Sequence, residues 1–182
     1  SYSISVMDLS DTDNIRYAER KSNNGFQPGS VGKLAVVTGL FCALENIYPD
    51  DFDKRIEILK NKKIRAGYWA LPNIHTVPFF NPDNNKFEKR LLVANDVFSL
   101  YEWVDHMLSV SSNGAASVVW KELILIQEFG KDYIDLTEEE AEVYFKQTSK
   151  KELSDISIQV VNDPLRELGI GENEWRLGTM FT

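Results

Sequence analysis

From Val31 to Ile47 the chain is apolar at nearly every position: Val31, Leu34, Ala35, Val36, Val37, Leu40, Phe41, Ala43 and Leu44 leave almost no polar face. A helix that is apolar all round belongs inside a domain rather than on its surface. The stretch therefore predicts a buried helix over Ser30–Ile47. Gly39 in its middle costs about 1 kcal/mol against Ala, which implies close packing of a neighbour. The chain has 182 residues, 43% of them hydrophobic, enough for one domain with a sizeable core.

The rest of the chain supplies elements around that helix. Tyr2–Met7 alternates into an acidic turn at Asp8–Asp13, and Ile15–Ala18 resumes an extended pattern; together they predict an antiparallel hairpin within residues 1–25. Asp50–Lys63 reads as a short amphipathic helix, and Arg65–Leu92 as loop and irregular hairpin. Ser99 with Glu102 forms a capping box that opens a helix, which breaks at Ser109–Gly114. A second helix runs from about Ala115 to Phe129 and stops at Gly130. Thr137 with Glu140 caps a third, and Asp163-Pro164 begins a short helix ending before Gly169. The order is strands first and helices after, with no later strand to pair with the hairpin. A lone hairpin is marginal in water. The expected fold is α+β, one domain over residues 1–182, with later strands missing from this chain.

Charge and composition narrow the function. The net charge is −8, which argues against a phosphate-binding face and so against nucleic acid. The one basic cluster, Lys60 to Arg65, reads as a solvated turn region. The single cysteine, Cys42, excludes an internal disulfide and reads as a buried, inert thiol. No apolar run is expected to reach the length of a membrane span. No signal peptide is visible; the chain starts at Ser1 and reads as a processed or trimmed product. His75 and His106 have no partners at metal spacing, so no metal and no cofactor is expected. His75 is placed along a cleft without a catalytic role, and His106 is either packed on its helix or facing solvent. Trp69, Trp103, Trp120 and Trp175 are assigned to the core.

The chemistry concentrates at Ser30 and Lys33, in Pro28-Gly29-Ser30-Val31-Gly32-Lys33. Three residues apart at a helix start, the two side chains share one face. A serine hydroxyl needs a base to take its proton. A lysine serves only when burial and the positive helix end make its ammonium easier to deprotonate. The Ser30 backbone N–H at the helix tip lies where an oxyanion forms. Ser-x-x-Lys alone is weak, with about one chance match in a chain of this length. The plainer alternative is Ser30 as an N-cap and Lys33 on the surface. A surface lysine does not suit a helix apolar on all sides, and Phe26-Gln27-Pro28-Gly29 makes a sharp turn exposing the serine.

Ser111-Ser112-Asn113 falls in the break between two helices, followed by Gly114-Ala115-Ala116. From such a loop Ser111 passes a proton between Lys33 and a leaving group, and Asn113 holds a substrate carbonyl and Lys33. The alternative is a polar helix cap; Ser22-Asn23-Asn24 shows the same pattern in a plain loop. The small residues at the following helix start distinguish the later copy, since they let backbone pack close.

FQPGSVGKL (Phe26 to Leu34) is similar to the nucleophile motif of class A β-lactamases and related penicillin-recognising enzymes. SLYEWVDHMLSVSSNGAA (Ser99 to Ala116) resembles the helix and Ser-x-Asn loop of the same family, and VMDLSD fits the strands that precede the nucleophile helix. The resemblance covers most of the chain in order, with Asp51–Leu92 only loosely alignable. It implies a β-lactamase/transpeptidase-like fold, a helical domain packed on an antiparallel sheet. It makes Ser30 the acylated nucleophile, Lys33 the base, Ser111 the proton relay and Asn113 the substrate-binding residue. It further implies a small-molecule or peptide-like amide substrate and a periplasmic or secreted location.

Two family features are missing. No Lys-Thr-Gly or Lys-Ser-Gly occurs; in Leu177-Gly178-Thr179 a leucine stands where the lysine belongs. The second oxyanion donor would come with that strand, expected in the remaining C-terminal part of the fold, cleaved away or carried on another polypeptide. Glu-x-Glu-Leu-Asn is also absent, and Glu172 and Glu174 read as solvated carboxylates. A long-lived acyl-enzyme follows, which favours a penicillin-binding or transfer enzyme. The alternatives are a non-catalytic relative acting as a binding or assembly module, and a glutaminase-like amidase.

Overall fold

The structure, a computed structural model, describes residues 2–25, 27, 29–70 and 74–177. Phe26 and Pro28 of the nucleophile motif, and Gly178-Thr179, lie outside the described residues. Among the described residues the chain forms six strands and six α-helices: β1 (Ile4–Asp8), β2 (Arg16–Arg20), α1 (Gly32–Ile47), α2 (Phe52–Asn61), β3 (Lys63–Arg65), β4 (Val77–Asn81), β5 (Lys86–Arg90), β6 (Val97–Ser99), α3 (Leu100–Ser109), α4 (Asn113–Phe129), α5 (Glu138–Gln147) and α6 (Lys150–Glu167). The class is α+β, as expected.

The helix buried on nearly every side is α4, not α1. Gly114 to Ala116, Val118 to Trp120 and Glu122 to Ile126 are all buried, because α4 touches α1, α3, α6 and two 3-10 turns, Gly67–Ala70 and Gly130–Ile134. In α1, Ala35, Val36, Val37, Leu40, Ala43 and Leu44 face α4 and α6, whereas Leu34 and Phe41, with Val31 just before the helix, form an exposed apolar stripe. By length and composition the window Gly29–Ile47 is also apolar enough to cross a membrane (19 residues, mean hydropathy 1.3). That corrects the sequence-based view that no run approaches such a span. Half of this window is buried inside the fold, as in the core helix of a globular domain.

Close packing at Gly39 is observed. A Cβ there would lie 2.6 Å from the Val160 carbonyl oxygen and 3.0 Å from Leu123 Cδ2. Pro164 stands inside α6, where its missing N–H leaves that same Val160 carbonyl without its helical donor. Proline therefore does not open the helix here, as the sequence suggested. Ser149 opens it instead, its side chain accepting from the Glu152 N–H.

The capping boxes at Ser99/Glu102 and Thr137/Glu140 form as expected. α4 starts at Asn113, because the Ser112 hydroxyl accepts from the Ala115 N–H and so caps it. Strands occur later in the chain than expected, but they pair only with one another: β3 with β6 and β4 with β5, both antiparallel. β1 and β2 pair in register from Ile4↔Arg20 to Asp8↔Arg16, and every residue of the hairpin is exposed. Among the described residues there is thus no continuous sheet beneath the helices, only three two-stranded ribbons.

In the basic cluster Lys60, Lys63 and Arg65 are exposed, as expected, but Lys62 is drawn into the fold. Lys62 donates to the carbonyls of Tyr133, Ile134 and Leu136 (3.0, 3.0 and 2.8 Å), which closes the end of the 3-10 turn. Lys63 pairs with Glu102, and Arg65 with Glu138.

Candidate active site

The site forms where the first turn of α1 meets the turn between α3 and α4. Gly29 adopts a left-handed φ of 54°, which turns the chain into the 3-10 segment Gly29–Val31. Ser30 lies in that segment. The residue before α1 is Val31, and no side chain caps the helix. Ser30 is therefore not a plain N-cap. Its hydroxyl instead meets two other side chains.

Lys33 Nζ lies 3.0 Å from Ser30 Oγ, 3.2 Å from Ser111 Oγ and 2.7 Å from Asn113 Oδ1. Ser111 Oγ lies 2.8 Å from Ser30 Oγ. The four residues singled out in the sequence thus form one hydrogen-bonded cluster, joining positions 78 to 81 residues apart in the chain. Lys33 is only 8% exposed, and all three of its partners are uncharged. Burial pushes its ammonium below the usual lysine range. A buried lysine without a counter-ion is suited to accept a proton.

Local conformation sets this geometry. Ser111 has φ 58°, a left-handed value uncommon for a non-glycine residue. The Ser112 N–H donates to the carbonyl of His106 at 3.1 Å and so ties the turn to the end of α3. Ser112 then caps α4, which places Asn113 in its first turn. Gly114 lets the chain approach closely: a Cβ there would run into the carbonyl of Ala70. The α4 start and the 3-10 turn at Gly67–Ala70 therefore form one wall. On another side Leu177 Cδ1 would sit 3.4 Å from a Cβ at Gly32. Asn162 holds Leu177 there, its amide bonding both the N–H and the carbonyl of Leu177 at 2.8 Å.

The Glu174 carboxylate closes its own turn on the Gly171 N–H at 2.6 Å, and Glu172 faces Arg176 in solvent at 3.9 Å. Trp103 and Trp120 are core residues, donating to the carbonyls of Ile64 and Ser157. Trp175 is half-buried against the core, but Trp69 is exposed and stacks on Phe145. Cys42 is a half-buried free thiol, pushed up by burial and by Glu45 and Glu167. His75 stands ahead of β4, and His106 is buried on α3. Sequence reading missed the His106 carbonyl and Asn162 as supports of the site, since nothing local marks which neighbours a backbone or amide group meets.

Comparison with protein-family models, with curated proteins and with solved structures returns no match to this chain.

Proposed function

We propose that this chain carries the nucleophile half of a serine acyl-transfer enzyme of the β-lactamase and penicillin-binding type. The observation that carries the reading is the lysine: Lys33 Nζ, buried and without a counter-ion among the described residues, is within hydrogen-bond reach of Ser30, Ser111 and Asn113. Neutral Lys33 takes the Ser30 proton, either directly or through Ser111. Ser30 Oγ attacks an amide or β-lactam carbonyl, forming the acyl-enzyme, and Ser111 returns the proton to the departing nitrogen. Asn113 turns Oδ1 to Lys33, which leaves its amide N–H groups for the substrate carbonyl. The Ser30 backbone N–H is one oxyanion donor.

The reading includes a β-lactamase-like fold completed by a further strand-bearing segment, with a Lys-Thr-Gly or its equivalent. The uncovered hairpin and the exposed stripe of α1 support it. Without the second oxyanion donor, turnover falls by about 10²–10³. Among the described residues no carboxylate is bonded to the cluster to activate water, which favours a long-lived acyl-enzyme. The substrate class is peptide-like amides, and the setting is periplasmic or extracellular. The competing reading, a non-catalytic binding module, draws on the absence of Lys-Thr-Gly.

The test is covalent labelling. A fluorescent penicillin or fluorophosphonate is expected to modify Ser30, and Ser30→Ala to lose the label. A full-length protein that takes no label would leave the binding-module reading in place. Full turnover of an ester by these 182 residues alone would contradict the incomplete site.

A further inference from the structure

We propose that His106 is a pH-sensitive positioning residue. The neutral ring holds the last turn of α3 so that its carbonyl fixes the Ser111–Asn113 turn, and a proton on the ring releases that turn from Lys33. The inference rests on the reading of Ser30 and Lys33 as nucleophile and base.

His106 is 5% exposed, and both ring nitrogens are buried with no hydrogen-bond partner. The ring stands edge-on to Phe98 (centroids 4.8 Å apart, 84° between planes) and to Trp103 (6.4 Å, 89°). Buried polar groups are usually bonded, and an unpartnered one calls for an explanation. Here the surroundings accept only the neutral ring. The charges that face it are Asp105 and Glu102 on its own helix and Asp96 from the turn before β6. Each is already engaged. Asp105 accepts from Ser109 Oγ at 2.6 Å. Glu102 accepts from Ser99 and pairs with Lys63 of β3. Asp96 accepts from Arg90 of β5 and from the Val93 N–H. Among the described residues no acidic group accepts a hydrogen bond from the ring.

Burial accordingly pushes the ring below the ordinary histidine range, against the smaller opposing pull of Asp105, Glu102 and Asp96. The folded chain binds this proton less readily than the unfolded one. Its contribution is therefore complete above about pH 6.5 and is lost as pH falls through the folded-state value. The bond from the Ser112 N–H to the His106 carbonyl (3.1 Å) carries the consequence to the site. Ser111, at φ 58°, is in a conformation its surroundings must impose. When the ring moves toward water, the α3 end moves with it. Lys33 then loses Ser111 and Asn113, two of its three partners.

The wild-type chain decides this by NMR, titrated from about pH 8 to about pH 5. The His106 ring is expected to titrate below the ordinary histidine value. The amides of Ser111 and Ser112 and the Asn113 side chain are expected to move at the same midpoint. In His106→Phe those resonances stay flat, and the acid-side loss of urea stability shrinks. For labelling by a fluorophosphonate, the logarithm of the rate falls with the single-proton slope that Lys33 imposes. In the wild type it steepens where the ring titrates, and in His106→Phe it does not. A ring that titrates at the ordinary value, or titrates while the turn resonances stand still, overturns the proposal. If the variant does not fold, the wild-type titration still decides. Absence of labelling at every pH refutes Ser30 as nucleophile and leaves the ring-to-turn coupling to the NMR data.

Discussion

Lys33 is the residue at which stability and chemistry pull apart. Folding strips water from its ammonium and offers only the neutral atoms Ser30 Oγ, Ser111 Oγ and Asn113 Oδ1 in return. Its proton is therefore held less firmly in the folded chain than in the unfolded one. Between those two values stability rises with pH, so at neutral pH the charged lysine works against the fold. Replacing it with a side chain of similar length and no charge removes that cost. Ser30, Ser111 and Asn113 each lose the lysine, but Ser30 and Ser111 keep their mutual bond at 2.8 Å. Lys33→Met is expected to melt at the wild-type temperature or above, within about 1 kcal/mol, while losing all labelling at Ser30. A clear drop in melting temperature would show that Lys33 serves as a structural strut. At this scale the sequence was informative. Ser30, Lys33, Ser111 and Asn113 were legible because residue type and helix-start setting singled them out, and the structure brings them into one hydrogen-bonded cluster. The supports were not. His106 acts through its carbonyl and Asn162 through its amide, and neither atom's partner follows from residue type.

Among the elements, the helix starts at Ser99 and Thr137 were legible because each stands three residues before a Glu, whereas the same spacing at Ser149 and Glu152 was passed over in favour of Pro164. The α1/α4 assignment went the other way. Both stretches are rich in apolar residues, and periodicity does not say which one the fold surrounds. The crossing of α1 and α6 turns on Gly39. A methyl there meets backbone, the Val160 carbonyl oxygen at 2.6 Å, and not the yielding end of a side chain. Ala restores about 1 kcal/mol of helix propensity. Overpacking a tight crossing costs about 1–3 kcal/mol. The net expectation for Gly39→Ala is a loss of up to about 2 kcal/mol, read as a lower urea midpoint with an unchanged slope. Ser30 labelling should fall less than stability, because the methyl lies beyond the first turn of α1. A variant as stable as the wild type would mean that α6 can shift away without cost.

For the whole molecule, the open question is what the hairpin rests on. Its register puts Ile4, Val6 and Ala18 on one face and Met7 and Tyr17 on the other. Apolar residues on both faces mark strands that are covered on both sides. Here neither face is covered: Ile4, Val6, Met7 and Tyr17 are 45–58% exposed. The exposed residues Leu34 and Phe41 of α1, with Val31 just before it, are a second uncovered surface in the same chain. A two-stranded ribbon without a covered face has little to hold it together in water. Its opening free energy should lie near zero, whereas that of α4 approaches the global value. Hydrogen exchange of the 182-residue chain is therefore expected to show β1 and β2 amides exchanging close to the unfolded rate. Amides of Val118 to Ile126 should stay protected. Supplying the strand-bearing segment that the functional reading requires should slow exchange in the hairpin selectively and raise turnover at Ser30 in the same titration. Hairpin amides protected as strongly as those of α4 in the chain alone would show that this ribbon needs no cover. The reason for expecting further strands at the site would then be gone.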